Sequence, residues 1–254
     1  MPDASLPPRL HSLEFHGPLS AARANRLVVR LTANRPSTVL DIGCGWGELL
    51  LRLVDAVPGA HGVGIDLNSE DLARGRSTAA WRGLADRVQF VEESGIGSRR
   101  GPADVVLCVG AGHALTEVPR PDHLLAALRE LRRLVAPGGR VLYAEGFWER
   151  PPTVLELSRM WPDAAADDHC DLARLTDLAV EAGFRPLWIE TADQNEWEQF
   201  ESGYQADVEE WLATNPHHPR AAELRHQADS HRASWLRGYR GILNLAYLTL
   251  IPVD

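Results

Sequence analysis

Five short apolar runs rich in β-branched residues recur along the first half of the chain, at 38–42, 62–65, 88–91, 105–109 and 140–144, each the length of a buried strand. Between them the apolar positions switch to helical spacing, over 48–57, 69–82 and 122–135. In the last of these Leu124, Leu128, Leu131 and Val135 share one face before Pro137-Gly138-Gly139 ends the run. Ahead of the first run, 19–33 reads as a helix that Ser20 caps, with Ala24, Leu27, Val28 and Leu31 on one side. Strands alternating with helices predict a parallel sheet with helices on both faces.

Beyond Phe147 the pattern changes, because Pro151-Pro152 and Pro162 interrupt it. It resumes with a helix at 171–182 and a strand at 184–189. Next, Trp197, Phe200, Tyr204, Val208 and Trp211 fall on one helical face. After Pro216 a second helix carries Leu224, Ala228, His231 and Trp235, and a last strand covers 242–251. Two helices ahead of a final strand read as a cover over the ligand edge of the sheet or as a plain helical extension of its core.

Composition narrows the class. With 44% hydrophobic and 24% charged residues the chain is neither disordered nor fibrous, and 254 residues suffice for one large core. The formal charge of -9 and the absence of any basic stripe argue against nucleic acid as a partner. All 26 basic residues are arginine, so no lysine Schiff base is available; the bias reads as that of a GC-rich bacterial genome. Cys44, Cys108 and Cys170 sit at unrelated positions and read as small buried thiols rather than a disulfide framework. No leader-like apolar run occupies 1–13, and no stretch reaches the ~18 apolar residues of a membrane span. The expected setting is the cytoplasm, away from a membrane.

The sharpest chemical signal is Val39-Leu40-Asp41-Ile42-Gly43-Cys44-Gly45-Trp46-Gly47, at the end of the first strand and just before a helix. Glycines there let the backbone turn tightly and approach a ligand at the carboxyl edge of the sheet. The spacing departs from the Gly-x-Gly-x-x-Gly of dinucleotide sites, since position 48 is Glu. Asp41 also puts a carboxylate where a pyrophosphate would lie, which suits a ligand bearing an ammonium and a sulfonium.

Asp41-x-Gly43-x-Gly45-x-Gly47 resembles the first motif of the class I S-adenosylmethionine-dependent methyltransferases. Gly64-Ile65-Asp66-Leu67 resembles the family's second-strand motif, whose acidic residue accepts the ribose hydroxyls. Read alone, Asp66 would be a helix cap, but the glycine loop upstream favours the ribose role. Val91-Glu92-Glu93-Ser94-Gly95 aligns with the adenine-facing stretch, with Ser94 where the family usually has an acid. Cys108-Val109-Gly110-Ala111-Gly112-His113 ends the fourth strand with small residues where donor and acceptor would meet. The specific resemblance spans 38–144 and is nearest to a branch of poorly characterised bacterial small-molecule methyltransferases, whose features here are Phe15-His16-Gly17-Pro18-Leu19-Ser20, Glu145-Gly146-Phe147-Trp148 and Trp235-Leu236-Arg237-Gly238-Tyr239-Arg240.

The resemblance implies an α/β fold: a doubly wound, seven-stranded, mostly parallel sheet with an antiparallel last strand, an N-terminal lid helix and a helical insertion before that strand. It implies one domain over 1–254, divided into a lid segment 1–36, a cofactor core 37–146, a C-terminal half 147–241 with a helical cover, and a final strand segment 242–254. S-adenosylmethionine is the expected cofactor and S-adenosylhomocysteine its product, held by Asp41, Gly43, Cys44, Gly45, Asp66, Leu67, Glu93, Ser94 and Gly110. The expected reaction is in-line methyl transfer to a small-molecule substrate, with a natural-product intermediate as one candidate and a homodimer allowed. Other chemistry on the same cofactor, or adenosyl-ligand binding without turnover, is the alternative.

Where the acceptor needs a base, His113 is the first candidate because it follows the fourth strand, although a loop histidine bonded to backbone reads equally well. His16 and Glu145 are placed to border the same pocket. Trp148, Tyr204 and Trp235 are candidates for lining an acceptor site, against the plainer reading of the aromatic stripe as helix core. The run Asp167-Asp168-His169-Cys170-Asp171 reads as a solvated helix start, and neither it nor His217-His218 has zinc-site spacing, so no metal is expected. The arginines of the late helices read as a solvated or salt-bridged face.

Overall fold

The computed structural model describes residues 6–253. The first five residues, which belong to the 1–13 stretch and to the lid segment, lie outside the described residues, as does Asp254. The described chain begins with an irregular segment and helix α1 (Ala21–Leu31), then alternates β1 (Thr38–Ile42), α2 (Glu48–Ala56), β2 (His61–Asp66), α3 (Ser69–Trp81), β3 (Val88–Glu92), β4 (Ala103–Val109), α4 (His123–Leu134) and β5 (Val135–Trp148). After a single-turn helix α5 (Val154–Leu157) come α6 (Leu172–Glu181), β6 (Phe184–Thr191), α7 (Gln194–Thr214), α8 (Ala221–Ser234) and β7 (Leu243–Pro252). The seven strands form one sheet in the order β3-β2-β1-β4-β5-β7-β6. The first five are parallel, and β7 enters antiparallel between β5 and β6.

Period-two alternation along the central strands supplies two apolar faces. Leu40, Ile42, Val106, Cys108, Val141 and Tyr143 face α4 and α6 in one buried layer. Val39, Val105, Leu107, Leu142 and Ala144 face the opposite way, against α1, α2 and α3. Because β2 and β4 leave β1 on opposite sides, the chain reverses its winding at β1, and a crevice opens at the carboxyl ends of β1 and β4.

Three elements differ from the sequence expectation. β5 runs to Trp148 rather than ending at Ala144, because antiparallel pairing such as Glu145 with Ala246 and Gly146 with Leu245 carries it past the polar break. Helix α1 is not itself the lid: Ala24, Leu27, Val28 and Leu31 are buried in the helical layer, and the covering residues belong to the irregular segment before it. The 167–171 run is not wholly solvated. Asp171 does cap α6, but Asp168 is buried and accepts from Trp161 Nε1 at 3.0 Å, from the Ala165 N–H at 3.1 Å and from Arg120.

Candidate active site

The loop after β1 is pinned to the end of β2. The Gly43 and Cys44 N–H groups both donate to the Ile65 carbonyl, at 2.9 and 3.0 Å, and the Gly45 N–H donates to Asp66 Oδ2 at 2.8 Å. Asp66 Oδ1 accepts from the Asn68 N–H at 2.8 Å, so the carboxylate is fixed from two sides. Gly43 and Gly47 take φ of +65° and +67°, the left-handed region; a Cβ on either would approach Ala111 Cβ or the Phe90 ring to 2.4 Å. The glycines are therefore required by both backbone conformation and space.

Around this loop lies a cavity of about 510 Å³. Asp41, Gly43, Cys44, Gly45, Asp66, Leu67, Glu93, Ser94 and Gly110 all line it, together with His16 and His113. Leu67 is 71% exposed and Ile96 44% exposed, an unusual display of apolar carbon that forms one rim. The Glu93 carboxylate is held by Arg100 at 2.6 Å, whereas among the described residues the Ser94 hydroxyl accepts only the Ile96 N–H, at 3.2 Å. His113 sits in a 3₁₀ turn, Gly112–Leu115, exposed to the cavity.

The electrostatics of the cavity are set by two carboxylates. Asp41 is 5% exposed and makes no hydrogen bond or ion pair among the described residues; burial, and then the nearby Asp66 charge, push its carboxyl well above the usual range. Burial likewise raises the Cys44 thiol, with Asp41 and Asp66 adding to the effect, so Cys44 is a protonated wall rather than a nucleophile. A buried carboxylate lacking a cation, a half-exposed carboxylate beside it and a cradle that a Cβ would obstruct suit a ligand with an ammonium at one end and a ribose at the other. The expected cofactor fits this donor set.

Trp46, inside the glycine loop, supplies what motif reading missed. Its Nε1 donates to the Glu14 carbonyl at 2.9 Å, its ring stacks on His16 at 5.2 Å, and it is buried with Leu10 and Leu13 against Phe200 of α7. Arg74 lies over the same indole and donates to the carbonyls of Leu10 and Leu13 at 2.9 and 2.8 Å. The irregular N-terminal segment is thus clamped over the loop, and Phe15, His16, Gly17 and Leu19 roof the cavity. Burial lowers the His16 pKa, against the opposing pull of Asp71, which keeps the imidazole neutral near pH 7. At the other end of this segment Arg23 grips the Glu196 carboxylate, with Nε donating to Oε1 at 2.9 Å and to Oε2 at 3.0 Å and Nη2 donating to Oε2 at 2.8 Å, and ties α1 to α7. The sequence signal for Trp46 was a large aromatic between two loop glycines, where a solvent-facing turn would have none.

Four candidates lie elsewhere. Glu145 is buried behind the 3₁₀ turn, accepting from Tyr143 Oη at 2.9 Å and from the Gly146 N–H at 3.0 Å, and does not line the cavity. Trp148 is 5% exposed, packs with Trp161 and Tyr239 and donates Nε1 to the Ala166 carbonyl at 2.9 Å. Trp235 borders a separate hollow with Glu149 and Asn244, and Tyr204 another beside α8. Among the described residues no group of three or more His, Cys, Asp or Glu is placed to hold a metal ion, and no helix is long and apolar enough to cross a membrane.

Residues 39–139 match a family profile described as a methyltransferase domain. Over 198 residues, 77% of each chain, the sequence is 29% identical to an uncharacterised Escherichia coli protein, YjhP. Among solved structures, a methyltransferase from Geobacter sulfurreducens that depends on S-adenosylmethionine, in complex with S-adenosylhomocysteine, superposes with a TM-score of 0.82 at 28% identity, covering 94% of both chains. A corresponding enzyme from Thiobacillus denitrificans, also with S-adenosylhomocysteine, gives 0.82 at 25% identity, covering 98% of this chain and 100% of that one.

Proposed function

We propose that this chain, which belongs to the class I S-adenosylmethionine-dependent methyltransferases, methylates a small molecule that enters beside the glycine loop under the N-terminal segment. When bound, S-adenosylmethionine supplies an electrophilic methyl group on a sulfonium. The chain's own contribution is largely to position the two reactants and exclude water, effects that lower such barriers by up to ~10 kcal/mol. Asp41 would hold the ammonium end of the ligand, Asp66 would accept the ribose hydroxyls, and Leu67, Ile96 and Ser94, which line the same cavity, would border the base. Gly43, Cys44, Gly45 and Gly110 line the same cavity with small side chains and would leave room there for donor and acceptor to meet. The Trp46 clamp and the Arg23–Glu196 pair hold the roof in place and keep solvent out.

The observation that carries this reading is the uncompensated carboxylate of Asp41 beside a half-exposed Asp66 in one cavity at the winding reversal of the sheet. His113, exposed to that cavity with no hydrogen bond among the described residues, is the group to take a proton from a hydroxyl or carbon acid. Binding without turnover is less well supported, because such a protein has no use for an open imidazole beside the donor.

The test is incubation of the purified protein with S-adenosylmethionine labelled in its methyl group and a bacterial extract, followed by separation of small molecules from macromolecules. Label in a small-molecule product supports the reading. Label in protein or nucleic acid alone, or in no product, overturns it.

A further inference from the structure

The turn that carries His113 rests on a buried carboxylate. β4 is tied to β5 for the last time where the Gly110 N–H donates to the Ala144 carbonyl at 2.8 Å, and the 3₁₀ turn, Gly112–Leu115, follows. A Cβ on Gly112, the residue before His113, would lie 2.4 Å from Glu145 Oε2 and 2.9 Å from Tyr143 Oη, so only glycine lets the turn come this close to the pair. The pair is itself fixed: Tyr143 donates its hydroxyl to Glu145 Oε2 at 2.9 Å, and the Gly146 N–H donates to Oε1 at 3.0 Å. Glu145 accepts both bonds, as an ionised carboxylate does.

Burial raises the Glu145 carboxyl, whereas the Gly146 N–H, the Tyr143 hydroxyl, His113 and Arg120 favour its ionised form. The other titratable groups packed around it are uncharged near pH 7. Burial pushes Tyr143, Cys108 and Cys170 up, and pushes His169, which lies against Gly146, down to about 4. Of the two cationic groups that act on Glu145, Arg120 is already paired with the buried Asp168. A buried carboxylate without a full partner is costly, and a protonated His113 is the partner left. On its open side His113 shares the cavity with His16, Asp41, Glu48, Asp66 and Glu93. Arg52 and Arg82 hold Glu48, and Arg100 holds Glu93.

We propose that Glu145 is the positioning residue of His113: from beneath the turn its carboxylate sets the imidazole in place and balances the imidazolium that forms when the base takes the acceptor's proton. When an acceptor is methylated its proton passes to His113, and the positive charge that the sulfonium gives up reappears on the imidazole. Glu145 is in place before that charge arises, so no group has to reorient to meet it.

The inference rests on the reading of His113 as the base, and NMR titration of the histidine rings tests it with no acceptor present. In Glu145→Gln, which keeps the shape and loses the charge, the midpoint at which the His113 ring titrates should fall by about half a pH unit, a roughly threefold loss of proton affinity. The His16 ring, whose charged neighbours are Asp71, Arg9, Asp66 and Arg74, should titrate as in the parent. Tyr143→Phe keeps the charge and should leave His113 near the parent midpoint. The reciprocal measurement needs no change at the buried site: the Glu145 carboxyl carbon should titrate at higher pH in His113→Ala than in the parent. S-adenosylhomocysteine affinity, measured alongside, establishes that the variants are folded. An unmoved His113 midpoint in Glu145→Gln, an equal fall in Tyr143→Phe, or an unmoved Glu145 midpoint in His113→Ala overturns the proposal and leaves Glu145 to hold β5 alone. With an acceptor in hand, the acid limb of the turnover profile should move down with the His113 midpoint in Glu145→Gln. Absence of labelled product with every acceptor overturns the methyl-transfer reading instead, and leaves the titrations legible.

Discussion

Replacing Asp41 with Asn should stabilise the unliganded protein and weaken the cofactor complex, two effects of opposite sign from one side chain. Without ligand, an ionised Asp41 is a buried charge that faces a second carboxylate and, among the described residues, has no cation or hydrogen bond to offset either. Its carboxyl pKa is raised in the folded state, first by burial and then by Asp66. A raised folded-state value means that the group stabilises the fold below its unfolded pKa, about 4, and that this contribution is lost as pH rises through the folded value. Asn has the same shape and no charge, so unliganded Asp41→Asn should melt above the parent at mildly alkaline pH, with the gap closing near pH ~4. Toward a cationic ligand the sign reverses. Losing a charge-assisted hydrogen bond of ~1.5–3 kcal/mol predicts S-adenosylhomocysteine binding about 10- to 150-fold weaker. Parent affinity should also rise with pH through the free-state value, because the proton on Asp41 must leave before the cation can pair; the variant should lack this dependence. Thermal unfolding across pH, with calorimetric titration alongside, reads all three effects. A variant that binds S-adenosylhomocysteine as tightly as the parent, or whose unliganded form melts lower at alkaline pH, refutes the assignment.

Asp66→Ala removes the acceptor of the Gly45 and Asn68 N–H groups as well as the proposed ribose contact, and should cost ~1.5–3 kcal/mol of S-adenosylhomocysteine binding; unchanged affinity in a titration removes the ribose assignment. His113→Ala should leave that affinity intact and lower turnover by roughly 10²–10⁴-fold once an acceptor is in hand, whereas full activity eliminates it as the base. Trp46→Phe keeps an aromatic ring but loses the bond to the Glu14 carbonyl, worth ~1 kcal/mol. Amide exchange in the segment over the loop should then quicken roughly fivefold, and unaltered exchange means that the indole is not the clamp.

The parallel core was legible in the sequence because its two signals agree: β-branched runs of strand length, and helical spacing between them that ends at Pro137-Gly138-Gly139. The glycine loop was legible because Gly43 and Gly47 have no substitute at positive φ with a neighbour 2.4 Å from a Cβ. What escaped depended on contacts far apart in the chain. β5 is extended by β7, about one hundred residues later, through pairs such as Gly146 with Leu245 that no local pattern around Gly146 contains. Glu145 looks catalytic at a strand tip, yet Tyr143 and the turn at Gly112 bury it. Asp168 looks solvated within an acidic run, yet Trp161 and Arg120 enclose it. The aromatic stripe of α7 divides by partner: Phe200 reaches the Trp46 cluster, Tyr204 reaches His231, and Trp211 packs with Leu212 and Ala221.

The central claim, that the glycine loop with Asp41 and Asp66 holds an adenosyl sulfonium ligand rather than a dinucleotide, is met most directly by calorimetric titration of the purified protein with S-adenosylmethionine, S-adenosylhomocysteine and a nicotinamide dinucleotide in parallel. The account predicts micromolar binding of the first two, near -8 kcal/mol, and none of the third; dinucleotide binding without adenosyl-ligand binding would contradict it.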